Sequence, residues 1–118
     1  MSTIVVIEDD LAMRTLICEW LSAAGYRVRG VAAPGAGADV ELVIVNVTDM
    51  RSRGAQTLRE VQAKYPRSTL IGMSTQLGRS LPGDSAIARA LRVSRLVAKP
   101  FARDELLGAV ADTIGVAG

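Results

Sequence analysis

Short apolar runs alternate with longer stretches of helical spacing along this chain. Ile4, Val5, Val6 and Ile7 form an unbroken β-branched run that ends in Glu8, Asp9 and Asp10, which predicts a fully buried strand. Leu11, Met13, Leu16, Ile17, Trp20 and Leu21 then recur at helical spacing and predict a helix over 11–24. Asp9 or Asp10 can cap its start, and Gly25 can end it. Residues 26–32 alternate and predict an edge strand. Residues 33–38, rich in Ala, Gly and Pro, read as loop, and 42–47 as a second buried strand. A helix over 54–65 follows from Ala55, Leu58 and Val61 and stops before Pro66. Strand 69–74, loop 76–83 and helix 85–93 capped by Asp84 come next. A short strand at 96–98 and a turn at Lys99-Pro100 lead to a last helix over 103–114. Asp104 and Glu105 lie in its first turn, where the helix dipole favours acids.

Strands and helices in that order imply an α/β domain, a parallel sheet covered by helices on both faces with right-handed crossovers. Ligands of such folds sit at the carboxyl ends of the strands. The positions that matter are therefore Glu8-Asp9-Asp10, Asn46, Ser74-Thr75 and Lys99-Pro100.

Length and composition fit one domain spanning 1–118, with no second or output domain expected. Hydrophobic residues make up 49% of the chain but aromatics are scarce, so the core must be built from Val, Leu, Ile and Ala. The one cysteine, Cys18, cannot form a disulfide within the chain, which fits a reducing compartment. The absence of histidine excludes a histidine phosphocarrier, a Ser-His-Asp triad and a His metal site. No basic leader precedes a long apolar stretch, and no run nears the roughly 20 apolar residues of a membrane helix. The expected location is the cytoplasm. Net charge is +2 but unevenly spread. The first part carries most of the acids, and from Arg51 to Arg103 bases dominate, with only Glu60 and Asp84 against them. A basic half suits nucleic acid, an acidic protein surface or plain solvation. Aromatic side chains are scarce among the bases, Tyr65 and Phe101 alone, so nucleic acid is not the expected partner.

The four stations, taken in order, resemble the receiver domains of two-component response regulators, and the match covers essentially the whole chain. Glu8-Asp9 is similar to the family's acidic pair and Ser74 to its hydroxyl. Glu41-Leu42-Val43-Ile44-Val45-Asn46 is similar to the segment that ends in the phosphoacceptor aspartate, and Lys99-Pro100-Phe101 to its K-P-F. Gly54 is similar to the glycine that follows the acceptor. Each motif alone is weak, but four in order on a βα rhythm are specific. The resemblance implies a flavodoxin-like, doubly wound five-stranded parallel sheet of order 2-1-3-4-5. It also implies Mg²⁺ held by the acidic pair, in-line transfer of a phosphoryl group to the acceptor, and a lysine that pairs with acceptor and phosphate.

Asn46 departs from that pattern where the chemistry is most demanding. An amide is not a usable nucleophile towards phosphorus, and it offers a metal one uncharged oxygen. Glu8, Asp9 and Lys99 leave a net charge of −1 (two acids, one lysine), one less negative than in the family. Mg²⁺ at Glu8 and Asp9 is then expected to be weak, and Lys99 is left to pair with Asp9 or Glu8. Asp49, in the following loop, is an alternative acceptor. Leu96, Val97 and Ala98 replace the family's aromatic switch residue. The connection from Tyr26 to Glu41 is short, with the family's second helix shortened or lost, and the one from Ser74 to Lys99 is long. The expectation is a stand-alone pseudo-receiver, not an enzyme, that signals to a kinase or effector by protein contact. The face corresponding to the family's fourth helix, fifth strand and fifth helix would carry Arg89, Arg92, Arg95, Arg103 and Asp104, for docking or homodimerisation. Nucleic-acid or cofactor binding on the same fold is the alternative from another class. An acidic first loop argues against direct flavin or phosphate binding.

Overall fold

The computed structural model describes residues 3–35, 39–47 and 52–116. The element order is β1 (Thr3–Ile7), α1 (Leu11–Ala23), β2 (Arg27–Val31), β3 (Leu42–Asn46), α2 (Ser52–Lys64), β4 (Thr69–Ser74), β5 (Leu81–Pro82), α3 (Ala86–Leu91), β6 (Arg95–Ala98) and α4 (Arg103–Ile114). The sheet runs β2-β1-β3-β4-β6-β5. Its first five members are parallel and keep the expected order.

The central strands are apolar through most of their length, with polar residues at their ends, because both faces are covered. Ile4, Val6, Leu42, Ile44, Ile71, Met73 and Val97 meet Ile17 and Leu21 of α1 and Leu106 and Val110 of α4. Val5, Ile7, Val43, Val45, Leu70 and Leu96 meet Leu58, Val61 and Tyr65 around α2 and Ala88 of α3. Alternate side chains of each strand thus serve opposite layers. Full burial of one such side chain contributes about 1.5–3 kcal/mol. Phe101 of the K-P-F packs edge-on against Trp20 of α1, ring centres 6.4 Å apart. That contact fastens the start of α4 to the first helix.

Three local expectations change. Residues 76–83, read as loop, contain the short strand β5, which pairs antiparallel with β6 and gives the sheet a sixth member. Alternation cannot reveal a two-residue strand. Its close seat depends on Gly83, where a β-carbon would run into the Ser94 carbonyl. The cap of α3 is Ser85, whose hydroxyl accepts from the Ala88 amide, and Asp84 lies one residue too early. The helix itself is shorter than 85–93, ending at Arg92 in a left-handed conformation. Asp10, one of the two candidates, caps α1 by accepting from the Met13 amide at 3.0 Å. Gly25 follows that helix with φ 99°. No helix is present among the described residues between β2 and β3.

Candidate functional site

The chain winds outwards from β1 in both directions, to β2 on one side and β3 on the other. The carboxyl ends of β1 and β3 therefore bound the crevice where doubly wound sheets take their ligands. Register does the rest. Asn46 lies opposite Met73, and Ser74 lies opposite Ala98, so the residues after β1, β3, β4 and β6 reach one end of the sheet.

Lys99 is the centre of what forms there. Its Nζ donates to Oε2 of Glu8 at 2.7 Å and to Oδ1 of Asn46 at 3.0 Å. The Glu8 side chain is 1% exposed and that of Lys99 10%. Of the two acids open to pairing with the lysine, Glu8 is the partner. The other Glu8 oxygen, Oε1, accepts from the Asp10 amide at 3.1 Å. The Glu8 carbonyl accepts from Arg14 Nη1 at 2.9 Å. Both carboxylate oxygens and the Asn46 oxygen are thus committed within the protein. The Lys99–Pro100 bond is cis, and the Lys99 amide donates to the Ser74 carbonyl at 2.9 Å.

Ser74 is fully buried, and its hydroxyl oxygen accepts from the Gln76 amide at 3.1 Å. The hydroxyl therefore serves the backbone of the next turn. Asp9 stands apart and exposed. With Asn46 and Thr57 it lines a cleft of about 180 Å³, walled by Ile7, Ala32, Ala33, Pro34 and Val45. Asp49 lies outside the described residues.

Mg²⁺ needs several oxygen ligands in near-octahedral geometry. The donor set does not offer them as it stands. Glu8 is spent on Lys99 and the Asp10 amide, Asn46 on Lys99, and among the described residues Asp9 alone presents a carboxylate with no partner at this end of the sheet. No group of three or more His, Cys, Asp or Glu side chains converges elsewhere among the described residues.

The basic residues of the expected docking face divide. Arg95 pairs with Asp112 at 3.0 Å and Arg103 with Asp104 at 3.5 Å, both near the surface. Arg89 is exposed on α3. Arg92 instead borders a cleft towards α2, with Arg59 and Gln62. Ser80, which the motifs did not single out, joins three elements. Its hydroxyl donates to Glu105 Oε2 at 2.7 Å and accepts from the Ala98 amide at 2.9 Å. No sequence signal distinguishes it from the other loop serines. Burial pushes the Cys18 thiol above its ordinary value, with Arg14 opposing, as expected of a packing residue and not a nucleophile. No described helix is long and apolar enough to cross a membrane.

Regulatory protein VirG of Rhizobium radiobacter is 29% identical over 113 residues, which are 91% of this chain and 41% of that protein. The chain thus spans about two fifths of the length of the curated relative it matches. Among solved structures, a CheY-like response regulator receiver domain protein from Methanospirillum hungatei superposes with a TM-score of 0.75 at 17% identity, over 95% of this chain and 92% of that one. A response regulator from Thermotoga maritima gives 0.75 at 17% identity, over 97% and 98%. No family model matches the chain. The fold is that of response regulator receiver domains.

Proposed function

We infer that this receiver-type chain works in two-component signalling through protein contact, without phosphorylation at position 46. The observation that carries the reading is the clamp on Asn46. In-line transfer needs an oxygen nucleophile and a cation beside it. Position 46 supplies an amide whose oxygen already accepts from Lys99. The lysine that would meet an incoming phosphate is held by Glu8. With both Glu8 oxygens occupied, Mg²⁺ can bind only weakly or after rearrangement.

The test is intact mass after incubation with Mg²⁺ and acetyl phosphate, beside Asn46→Asp. The expected result is no added phosphoryl group on the native chain and one on the variant. A phosphorylated native chain overturns the reading and assigns the acceptor to another carboxylate, Asp49 first.

Contact then has to carry the signal. The surface of α3, β6 and α4 presents Arg89, Arg95 and Arg103 beside Asp104 and Asp112. Both signs on one face suit a second copy as well as a kinase or effector. Sedimentation should show a concentration-dependent dimer that Arg103→Glu and added salt both weaken. A monomer throughout removes self-association and leaves a heterologous partner.

A further inference from the structure

We propose that the cleft between α2 and α3 binds a small phosphate monoester, its phosphate held between the guanidinium groups of Arg59 and Arg92. The cleft lies away from Asn46 and Lys99, and the proposal does not depend on how that end of the sheet works.

The space is about 300 Å³, lined by Ala55, Arg59, Gln62, Ala90, Leu91 and Arg92. That is the lower end of the range for small-molecule sites, about 300–1,000 Å³. Ala55, Ala90 and Leu91 give it an apolar wall, and the short alanines leave the room. Arg59 and Arg92 supply the charge. The ion pairs among the described residues are Arg95–Asp112, Lys99–Glu8 and Arg103–Asp104, so neither cleft arginine is neutralised by a carboxylate. Helix α3 itself contains no acid, and the acid nearest in sequence on α2, Glu60, follows Arg59 directly. Adjacent residues point about 100° apart around a helix.

The backbone gives a second, independent reason. Arg92 ends α3 at φ 59°, ψ 41°, and it is the non-glycine residue with positive φ among those described. Glycine is the ordinary choice there, as Gly25 is after α1. A side chain kept against that preference points to a use for the side chain. The strained residue is also braced. Its amide donates to carbonyls of α3, and its carbonyl accepts from Gln62 Nε2 at 3.3 Å. Gln62 thereby ties α2 to the end of α3 and fixes the spacing of the two walls.

Paired guanidinium groups match phosphate oxygens by bidentate, charge-assisted bonds. A small ester fits better than nucleic acid, because no aromatic ring lines the cleft for base stacking. It fits better than an acidic protein surface, because the charge lines a recess.

The test is an NMR titration of the full chain with inorganic phosphate, then with phenyl phosphate, following amide and arginine Nε signals. Saturable shifts confined to α2 and α3 are expected, with phenyl phosphate at least about tenfold tighter than phosphate, since the ring gains the apolar wall. Arg92→Gly should lower affinity about tenfold or more while the melting temperature holds or rises, because glycine relieves the left-handed strain. Arg59→Gln should weaken binding alike with the melting temperature unchanged. No saturable shift, or equal affinity for both probes, overturns the proposal. So does full binding by Arg92→Gly, a fall in its melting temperature, or a preference for a poly-glutamate peptide over phenyl phosphate.

Discussion

Replacing Lys99 by methionine tests the clamp directly. The change keeps most of the stem and removes the ammonium. Glu8 is then left with a side chain 1% exposed and its Oε2 without the 2.7 Å partner. Breaking a buried pair from one side costs about 3–5 kcal/mol, because a desolvated charge remains unmatched. An unfolding entropy of about 2.1 cal/mol/K per residue gives the 118-residue chain about 250 cal/mol/K. Each kcal/mol then moves the melting temperature by about 4 °C, and the expected fall is about 12–20 °C. Adding Glu8→Gln should recover much of it. The glutamine oxygen can still accept from the Asp10 amide, and no buried charge is left. Urea titrations of the two single variants and the double variant close a mutant cycle, with an expected coupling above about 1 kcal/mol. Independent, additive losses, or a Lys99→Met loss below about 1 kcal/mol, would refute the idea that Lys99 is the obligatory counter-charge of Glu8.

Two further outcomes follow from local geometry. Gly83→Ala drives a β-carbon into the Ser94 carbonyl, whereas Gly78→Ala meets nothing within 4 Å. The first should cost about 1–3 kcal/mol and speed hydrogen exchange at the Ala98 amide, which the Ser80 hydroxyl now accepts from. The second should do neither, and equal exchange in both variants would sink the account of β5 as a strap seated by glycine. Tyr26 is raised above its ordinary 10.0 by burial, and its hydroxyl donates to the Gly115 carbonyl at 2.8 Å. The folded chain keeps a proton that the unfolded chain releases, so the stability from this group is complete below pH 10 and lost as pH rises through the folded value. The advantage over Tyr26→Phe, about 1 kcal/mol near neutrality, should shrink in urea titrations above about pH 10. Cys18 is common to both proteins and cancels.

Most of the sheet was legible because burial on both faces leaves an unmistakable apolar run. Strand β4 and helix α4 match the expected spans residue for residue, and β1, β3 and α1 differ by a residue at an end. What escaped was held by single contacts and not by periodicity. Two residues of β5 carry no alternation, and their seat depends on one glycine against one carbonyl. The cap of α3 turned on whether a carboxylate or the next hydroxyl met the Ala88 amide, and both are good caps. At the site, motif order singled out Glu8, Asn46, Ser74 and Lys99, which the sheet brings to one end. It could not choose Glu8 over Asp9 as the lysine's partner. That choice follows from strand alternation. Glu8 follows Ile7 directly and its amide still bonds the Val31 carbonyl, so it is carried inside, while Asp9 has left the sheet.

The same asymmetry changes what an acidic pair after the first strand can mean. A lysine delivered by β6 to the end of β3 arrives in a place almost closed to water. It needs a charge there whatever stands at position 46. With aspartate at that position the need could be met by the acceptor, leaving both acids for a cation. With Asn46 neutral, one buried carboxylate has to meet it, and Glu8 does so at 2.7 Å. Glu8 and Lys99 therefore have a structural reason to occur together that is independent of phosphate or metal. Asp9 has no such duty, since it is exposed and its removal strands no charge. In chains of this fold with a neutral residue at the acceptor position, loss of the first acid and the lysine should occur jointly, while the second acid is free to vary. A metal role can then be argued from the second acid, not from the first.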